Sequence, residues 1–211
     1  MKINEIFKSI QGETSYTGMP FLFIRATGCN LRCRWCDTTY AYHEGSDYSI
    51  DEILTILGKY DCRNVVITGG EPLLQEETPL LAECLVHNGY RVLVETNGSI
   101  DVSKLHPEVI KILDIKCPGS GMTENIVWNN LKTLSSTDEV KFIVADYDDY
   151  VWAKSVIESY KLPVICTVLI APVFSRLDPK QIAEWITNDN LNIRLQLQLH
   201  KYIWGPDVRG V

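Results

Sequence analysis

The chain has 211 residues, of which 45% are hydrophobic and 22% charged, with a formal net charge of −7. That is the composition of an ordinary soluble protein with one domain, residues 1–211, and a sizeable core. An acidic chain with no run of Lys and Arg repels phosphate backbones, which disfavours general nucleic-acid binding. No apolar stretch is long enough to span a bilayer, and the opening MKINEIFKSIQGET has no apolar leader with a small-residue cleavage site, so no membrane partner and a cytoplasmic location are expected. In that compartment the seven cysteines stay reduced, and clustered ones point to metal or catalysis rather than disulfides.

Strand-like apolar runs alternate with amphipathic, helix-like ones. Residues 21–28 (FLFIRATG) read as the first strand. Residues 49–60 read as a helix, with Ser49 as N-cap and Glu52 completing a capping box. A second strand is expected at 64–70, a helix at about 75–88 and a third strand at 91–98. Then come a fourth strand at 109–116, a helix near 125–134 and a fifth strand at 139–146. A helix near 149–160, a sixth strand at 163–172, a helix near 179–187 and a seventh strand at 193–200 complete the pattern. Such alternation implies right-handed βαβ units and a parallel sheet. A partial barrel and a doubly wound open sheet both fit. In either, ligands bind at the carboxyl ends of the strands. The polar motifs all fall there: the cysteines, TGGEP, ETNG, Lys116 and Asp146 each follow a strand, so they are expected to converge.

The sharpest local signal is CNLRCRWCD, with Cys29, Cys33 and Cys36 spaced C-x3-C-x2-C. A structural zinc site would need a fourth ligand, for which His43 is the candidate. A 4Fe–4S cluster normally takes four thiolates. Three would leave one iron open to a small-molecule ligand. Cys62, Cys84, Cys117 and Cys166 do not extend the run.

The C-x3-C-x2-C spacing, with Trp35 before the last cysteine, resembles the signature of the radical S-adenosylmethionine (SAM) superfamily. GGEP (Gly69–Pro72) resembles its second motif. Two glycines let backbone approach a ligand closely, and a carboxylate is a natural partner for the SAM amino group. SIQGE, FIRATGCNLRCRWCDT, TGGEP and RLQLQLHK together resemble the 7-carboxy-7-deazaguanine synthases of queuosine precursor synthesis. The resemblance covers nearly the whole chain. It implies an α/β fold, a truncated TIM-like βα barrel of about six parallel strands plus a C-terminal strand. It also implies a homodimer, a 4Fe–4S cluster, SAM, Mg2+ and an external electron donor of the flavodoxin or ferredoxin type. The implied reaction converts 6-carboxytetrahydropterin to 7-carboxy-7-deazaguanine with loss of ammonia. It begins with hydrogen abstraction at C6 by a 5′-deoxyadenosyl radical and proceeds by ring contraction.

The same resemblance assigns residues. Cys29, Cys33 and Cys36 would hold the cluster. Trp35, Asp37, Gly70, Glu71, Asn97, Lys116, Cys117 and Pro118 would contact SAM. Ile10, Gln11, Gly12, Glu13, Arg25, Thr68, Gln198, His200 and the terminal carboxylate of Val211 would contact substrate, and Thr38 would bind Mg2+. Several of these have plainer readings. Arg25 suits bidentate recognition of a carboxylate but equally a rim ion pair. Gln11 and Glu13 suit a solvated loop, Thr38 a turn, and Asn97 an Asn-Gly turn. In the expected last strand, Gln196, Gln198 and His200 would share one face by period two. Two rivals remain: a glycyl-radical-enzyme activase with a protein substrate, and a zinc-binding module.

Overall fold

The chain begins with a strand, β1 (Lys2–Ile10), that pairs antiparallel with β2 (Pro20–Ala26). The sequence does not announce β1. Only Ile3 in it is fully buried, and Lys2, Glu5 and Lys8 interrupt any apolar run. β3 (Ser46–Asp47) pairs antiparallel on its outer side. The computed structural model describes all 211 residues. From β2 the sheet continues in parallel through β4 (Asn64–Gly69), β5 (Arg91–Thr96), β6 (Ile110–Lys116), β7 (Glu139–Val144) and β8 (Thr167–Pro172). A short β9 (Arg194–Leu195) follows β8, giving the order β3-β1-β2-β4-β5-β6-β7-β8-β9. The two edges do not pair, so the sheet is an open, partial barrel with six parallel strands and a C-terminal addition.

Helices α1 (Ile50–Leu57), α2 (Thr78–His87), α3 (Tyr147–Tyr160), α4 (Leu162–Ile165) and α5 (Pro179–Asn188) accompany the parallel strands, and α6 (Leu199–Trp204) ends the fold. The capping box at Ser49 and Glu52 forms as the spacing predicts. No helix is long and apolar enough to cross a membrane.

Three expected elements differ. Between β6 and β7 there is no α-helix at 125–134, only single 3-10 turns at Thr123–Asn125 and Trp128–Lys132. Asn130 explains the irregular path: its buried side chain accepts from the Val102 amide and donates to the carbonyls of Gly98 and Ile100, stitching loops instead of joining a helix. Residues 162–165 form α4, so the sixth expected strand starts only at Thr167. Most of the seventh is absent. β9 is two residues long, and Gln198 begins α6 instead. The period-two face of Gln196, Gln198 and His200 therefore breaks. Gln196 packs inward, donating its amide to Ile170, while Leu195 and Leu197 are exposed.

Alternation across the central strands builds the rest. Residues on one face, such as Leu22, Ile24, Val65, Ile67, Val92 and Val94, join the 35-residue core beneath the helices. The other face starts with a small cluster of Phe21, Phe23, Val66, Leu93, Ile110 and Ile112. Two residues further along, towards the carboxyl ends, the same face becomes polar: Arg25, Thr68, Glu95, Asp114 and Lys141. Parallel register sets Arg25 against Thr68 and Asp114 against Lys141.

Where the 125–134 helix is absent, Asp138 secures the entry to β7. Its fully buried carboxylate accepts from the Lys111 and Ser135 amides at 2.8 Å and lies 3.3 Å from the Lys111 ammonium. Asp138→Ala leaves that lysine buried and unpaired. Urea unfolding of the reduced protein is expected to show a loss of about 3–5 kcal/mol. A change below about 1 kcal/mol, the scale of an exposed pair, would mean the lysine escapes to water.

Candidate active site

The polar ends of the concave face open into a cavity of about 760 Å³. Eighteen of the 21 residues nominated from the sequence line it. The cysteine loop, which follows β2, contributes Cys29, Cys33, Trp35, Cys36, Asp37 and Thr38; the strand ends contribute Arg25, Thr68, Gly70, Asn97 and Lys116. The turn after β1 supplies Ile10, Gln11, Gly12 and Glu13, and the C-terminal segment supplies Gln198, His200 and Val211. Helix α6 is locked to that turn: the Leu199 amide donates to the Gly12 carbonyl, and a Cβ on Gly12 would lie 2.1 Å from the His200 ring.

At the floor lies Lys141, a buried ammonium from β7. It pairs with Glu13 at 2.6 Å, with Glu95, and with Asp114 at 3.5 Å. Lys116 meets Asp114 from the other side at 2.9 Å. Burial alone would raise the Glu13 pKa, but Lys141 outweighs it and lowers the value to about 2. Glu13 also accepts from Gln198 at 2.9 Å, and Glu95 from the Thr68 hydroxyl at 3.1 Å. Two buried atoms on this wall have no protein partner, the donor Nε2 of Gln11 and the acceptor Oδ1 of Asp114. Buried polar atoms are normally satisfied, so both are set to meet a ligand.

Arg25 combines both of its readings. Its Nε is held by Glu5 at 2.7 Å, and its guanidinium carbon lies 6.0 Å from the Phe7 ring centre and 5.8 Å from that of Tyr40. The two terminal nitrogens make no protein hydrogen bond. The ion pair thus orients a fork whose open end belongs to the cavity.

The cysteine loop packs tightly on the glycines that follow β4. A Cβ on Gly70 would sit 2.1 Å from the Gly28 carbonyl oxygen and 2.9 Å from the Cys29 Cβ. Burial raises the thiols of Cys29 and Cys33, and the neighbouring sulfurs, Cys36 among them, raise them further. Such a set favours a bound cation to stabilise its thiolates. No three His, Cys, Asp or Glu side chains approach closely enough to hold a single metal ion. His43, which a zinc site would need, is exposed and lies outside the cavity. Three thiols lining one cavity suit a multi-atom cluster with one corner open.

Asp37 extends the charge network. Its carboxylate takes the Lys201 ammonium at 2.6 Å, the Gln198 amide at 3.4 Å and the Thr38 hydroxyl at 3.0 Å. Burial would raise its pKa, but Lys201 holds it far below the usual range. Asn97 donates to the Asn30 side chain at 3.2 Å and lies 3.9 Å from the Cys29 sulfur, while its own oxygen accepts from Ser99 in the expected turn.

Four of the residues expected at the site do not line this cavity. Glu71 does not reach the cavity. Its carboxylate is fully buried and accepts from the Leu73 amide, the Thr96 hydroxyl and the Asn97 amide at 3.0, 2.8 and 2.6 Å. Cys117 sits in the main core, where burial pushes its thiol well up. Pro118 is exposed outside the cavity. Asp146 caps α3 through the Asp149 amide instead of joining the site. The KCPG loop still serves the site indirectly. A Cβ on Gly119 would lie 2.9 Å from the Trp35 ring, and the Arg34 amide donates to Ser120 at 3.2 Å.

The sequence reading missed Glu95, Asp114, Lys141 and Lys201. For Glu95 and Asp114 a signal was available, since each stands two positions beyond an apolar residue, Leu93 and Ile112, on the same strand face; Lys141, two beyond Glu139, and Lys201, in α6, offer none. If Glu71 is a brace, Glu71→Ala should destabilise the cofactor-free protein by about 1–3 kcal/mol, because it orphans buried donors. Thermal unfolding of that form checks this, since a purely ligand-contacting Glu71 would leave it unchanged.

Residues 23–115 match the radical SAM superfamily. A 7-carboxy-7-deazaguanine synthase of Chlorobaculum tepidum is 46% identical over 214 residues, covering 100% of this chain and 97% of the relative. One from Koribacter versatilis is 42% identical over 226 residues, covering 100% of both. The crystal structure of QueE from Escherichia coli shares the fold, with a TM-score of 0.75 at 24% identity over 92% of this chain and 93% of that one. Streptococcus suis SuiB bound to the precursor peptide SuiA shares it more distantly, at a TM-score of 0.61 and 11% identity, over 82% of this chain and 47% of that one. Identity of that extent from end to end, on a fold with the same open sheet, means that the chain belongs to the 7-carboxy-7-deazaguanine synthases of the radical SAM superfamily.

Proposed function

We propose that the cavity holds 6-carboxytetrahydropterin against SAM and that the chain turns this pterin into 7-carboxy-7-deazaguanine, with release of ammonia. The observation that carries the reading is the division of charge across the cavity. Arg25 offers an open guanidinium fork, while Glu13, Glu95 and Asp114 line the floor around Lys141. A ligand with a carboxylate at one end and an N–H-rich edge at the other answers both. The fork binds the carboxylate bidentately. The carboxylates and the Gln11 amide read the donors and acceptors of the bicycle, with Gln198 and His200 closing over it.

Cys29, Cys33 and Cys36 fit a 4Fe–4S cluster. Gly70, Asn97, Trp35 and Lys116 would hold SAM beside it, and the Thr38 hydroxyl fits a Mg2+ that keeps most of its waters. When bound, the cluster and SAM supply hydrogen-atom abstraction, which no side chain can perform. The protein's own share is orientation and exclusion of water. The same reading includes an external electron donor and a homodimer, which the exposed Tyr202, Ile203, Trp204 and Val208 support as a covered apolar face. It also includes a cytoplasmic location, which seven free cysteines support.

The test is anaerobic. Reconstituted protein receives SAM, dithionite, Mg2+ and 6-carboxytetrahydropterin, and mass spectrometry follows the product. Many turnovers per SAM are expected. Formation of 5′-deoxyadenosine without product would overturn the substrate and favour the activase reading. Arg25→Ala should raise KM for the pterin about 10- to 100-fold, the scale of a lost charge-assisted pair, with uncoupled SAM cleavage intact.

Lys141 gives a pH signature. The Glu13 pKa is depressed, so its stabilising contribution is present above 4.5 and lost as pH falls towards about 2. Wild-type KM should therefore be flat near neutrality. In Lys141→Met the carboxylates of Glu13, Glu95 and Asp114 face one another with only Lys116 and His200 nearby. Like-charge repulsion then favours a proton on one member of the set. KM for the pterin should fall as pH rises through neutrality, with Lys141→Arg restoring the flat profile. A flat profile in Lys141→Met would refute this role.

A further inference from the structure

On the amino side of Lys141, β7 carries a second buried acid–base group that the proposed reaction leaves unused. Glu139 opens the strand, two residues before Lys141, and is only 1% exposed. Its neighbours in register are Ile112 and Thr167, so it stands beside the apolar cluster of the concave face. It has no ion-pair partner: Arg194 and Lys141 act on it only through space, and burial pushes its carboxyl up. All its hydrogen bonds come from one residue. The Ser15 amide lies 3.1 Å from each carboxylate oxygen, and the Ser15 hydroxyl donates to Oε1. Ser15 is exposed, lies 124 positions earlier and belongs to the turn between β1 and β2. A buried carboxylate without a cation is a costly way to hold a strand end, since an apolar side chain would pack there more cheaply.

The same turn carries Gln11, Gly12 and Glu13, and it reaches across the concave face from the β1–β2 pair to β7. Glu13 meets Lys141; two residues further on, Ser15 meets Glu139, two residues back along β7. Lys141 is shared among three carboxylates, so its pull on Glu13 fixes no direction. A second contact two residues away stops the turn from pivoting. Thr14, between the two, has φ +66°, and its hydroxyl accepts from the Tyr16 amide at 3.1 Å. A β-branched residue holds that conformation only where its surroundings over-determine it, as contacts on both sides do here. We propose, on the functional reading above, that Glu139 is a positioning residue: it latches the turn through Ser15 and so presents Gln11 and Glu13 to the pterin. Neither Glu139 nor Ser15 lines the cavity, so the effect passes entirely through the turn.

The experiment compares Glu139→Ala, Glu139→Gln and Ser15→Ala with wild type. One readout needs no substrate: hydrogen exchange of the amides of residues 11–19 in the cofactor-free protein. The other is KM for 6-carboxytetrahydropterin, kcat and uncoupled SAM cleavage in the reconstituted enzyme. Glu139→Ala is expected to speed exchange across the turn at least about tenfold while the β4 and β5 amides stay protected. It should raise KM for the pterin about tenfold, the effect of a displaced binding group. Uncoupled SAM cleavage should stay within about twofold of wild type, because the SAM side is untouched. Glu139→Gln keeps an acceptor for the Ser15 amide and should recover most of both losses. Ser15→Ala, an exposed and milder change, should move both readouts in the same direction, and it carries the comparison if Glu139→Ala fails to fold. Unchanged exchange in the turn would overturn the latch. Faster exchange with an unchanged KM, an equal loss of kcat and SAM cleavage, or no rescue by Glu139→Gln would reduce Glu139 to a structural brace and overturn the positioning role. Wild type that forms no product would overturn the functional reading, and this role towards the pterin with it, while exchange still decides whether the latch exists.

Discussion

The Lys141 ammonium is the interaction on which the site's geometry depends. It is buried on β7, and its partners come from the turn after β1, from β5 and from β6. A buried ion network rarely beats an apolar core for stability, because desolvation costs each charge several kcal/mol. The apolar alternative lies lower on the same face, in the cluster of Phe21, Val66, Leu93 and Ile112. The change from that cluster to five charged or polar residues one layer higher is therefore a concession to ligand binding. It also sets register. A one-residue slip of β6 or β7 would turn Asp114 or Lys141 into the helix-covered core, unpaired.

An open sheet leaves one side of such a cavity unwalled. Here side chains from the C-terminal segment close it without a hydrogen-bonded ladder. Lys201 reaches Asp37 beside the last cysteine, Gln198 reaches Glu13, and the Leu199 amide takes the Gly12 carbonyl. These three links join the two ends of the chain to the cysteine loop. This explains why the chain leaves its strand early. A continued β9 would have held Gln198 and His200 on the sheet edge, whereas α6 turns them over the cavity mouth. A visible cost is Gln196, whose buried side-chain amide finds no partner at the point where the strand stops.

Much of this was legible in the residues. The six parallel strands were, because buried parallel strands are continuous runs of Val, Ile and Leu. The cysteines and glycines were, because few structures need three thiols in eight residues or a backbone as close as Gly70 to Gly28. The failures share a cause: they depended on partners far away in sequence. Glu71 reads as a ligand beside two glycines, and only the fold reveals two backbone amides and a hydroxyl converging on it. Lys141 sits in EVKFIVAD as the one cation of a mostly apolar run, and its three partners lie 27 to 128 positions away. Asn130 reads as a helical residue until the loop it stitches is present. Propensity describes neighbours along the chain, and these residues answer to neighbours in space.

The electrostatics then divide by depth. Inside, carboxylates outnumber ammoniums around Lys141 and Lys116, which suits a donor-rich heterocycle and leaves Arg25 as the open cationic fork. Outside, on the same short loop, the exposed Arg32 and Arg34 stand without a carboxylate partner in an otherwise acidic protein. Both environments bear on the one loop. Lys116 pulls the Cys33 thiol down from within, against the burial that raises it, and Arg32 ties the Cys29 and Leu31 carbonyls from without. A centre held there meets its small molecules on one side and solvent on the other. The open barrel thus leaves Cys29, Cys33 and Cys36 between the cavity and the surface that Arg32 and Arg34 share with solvent.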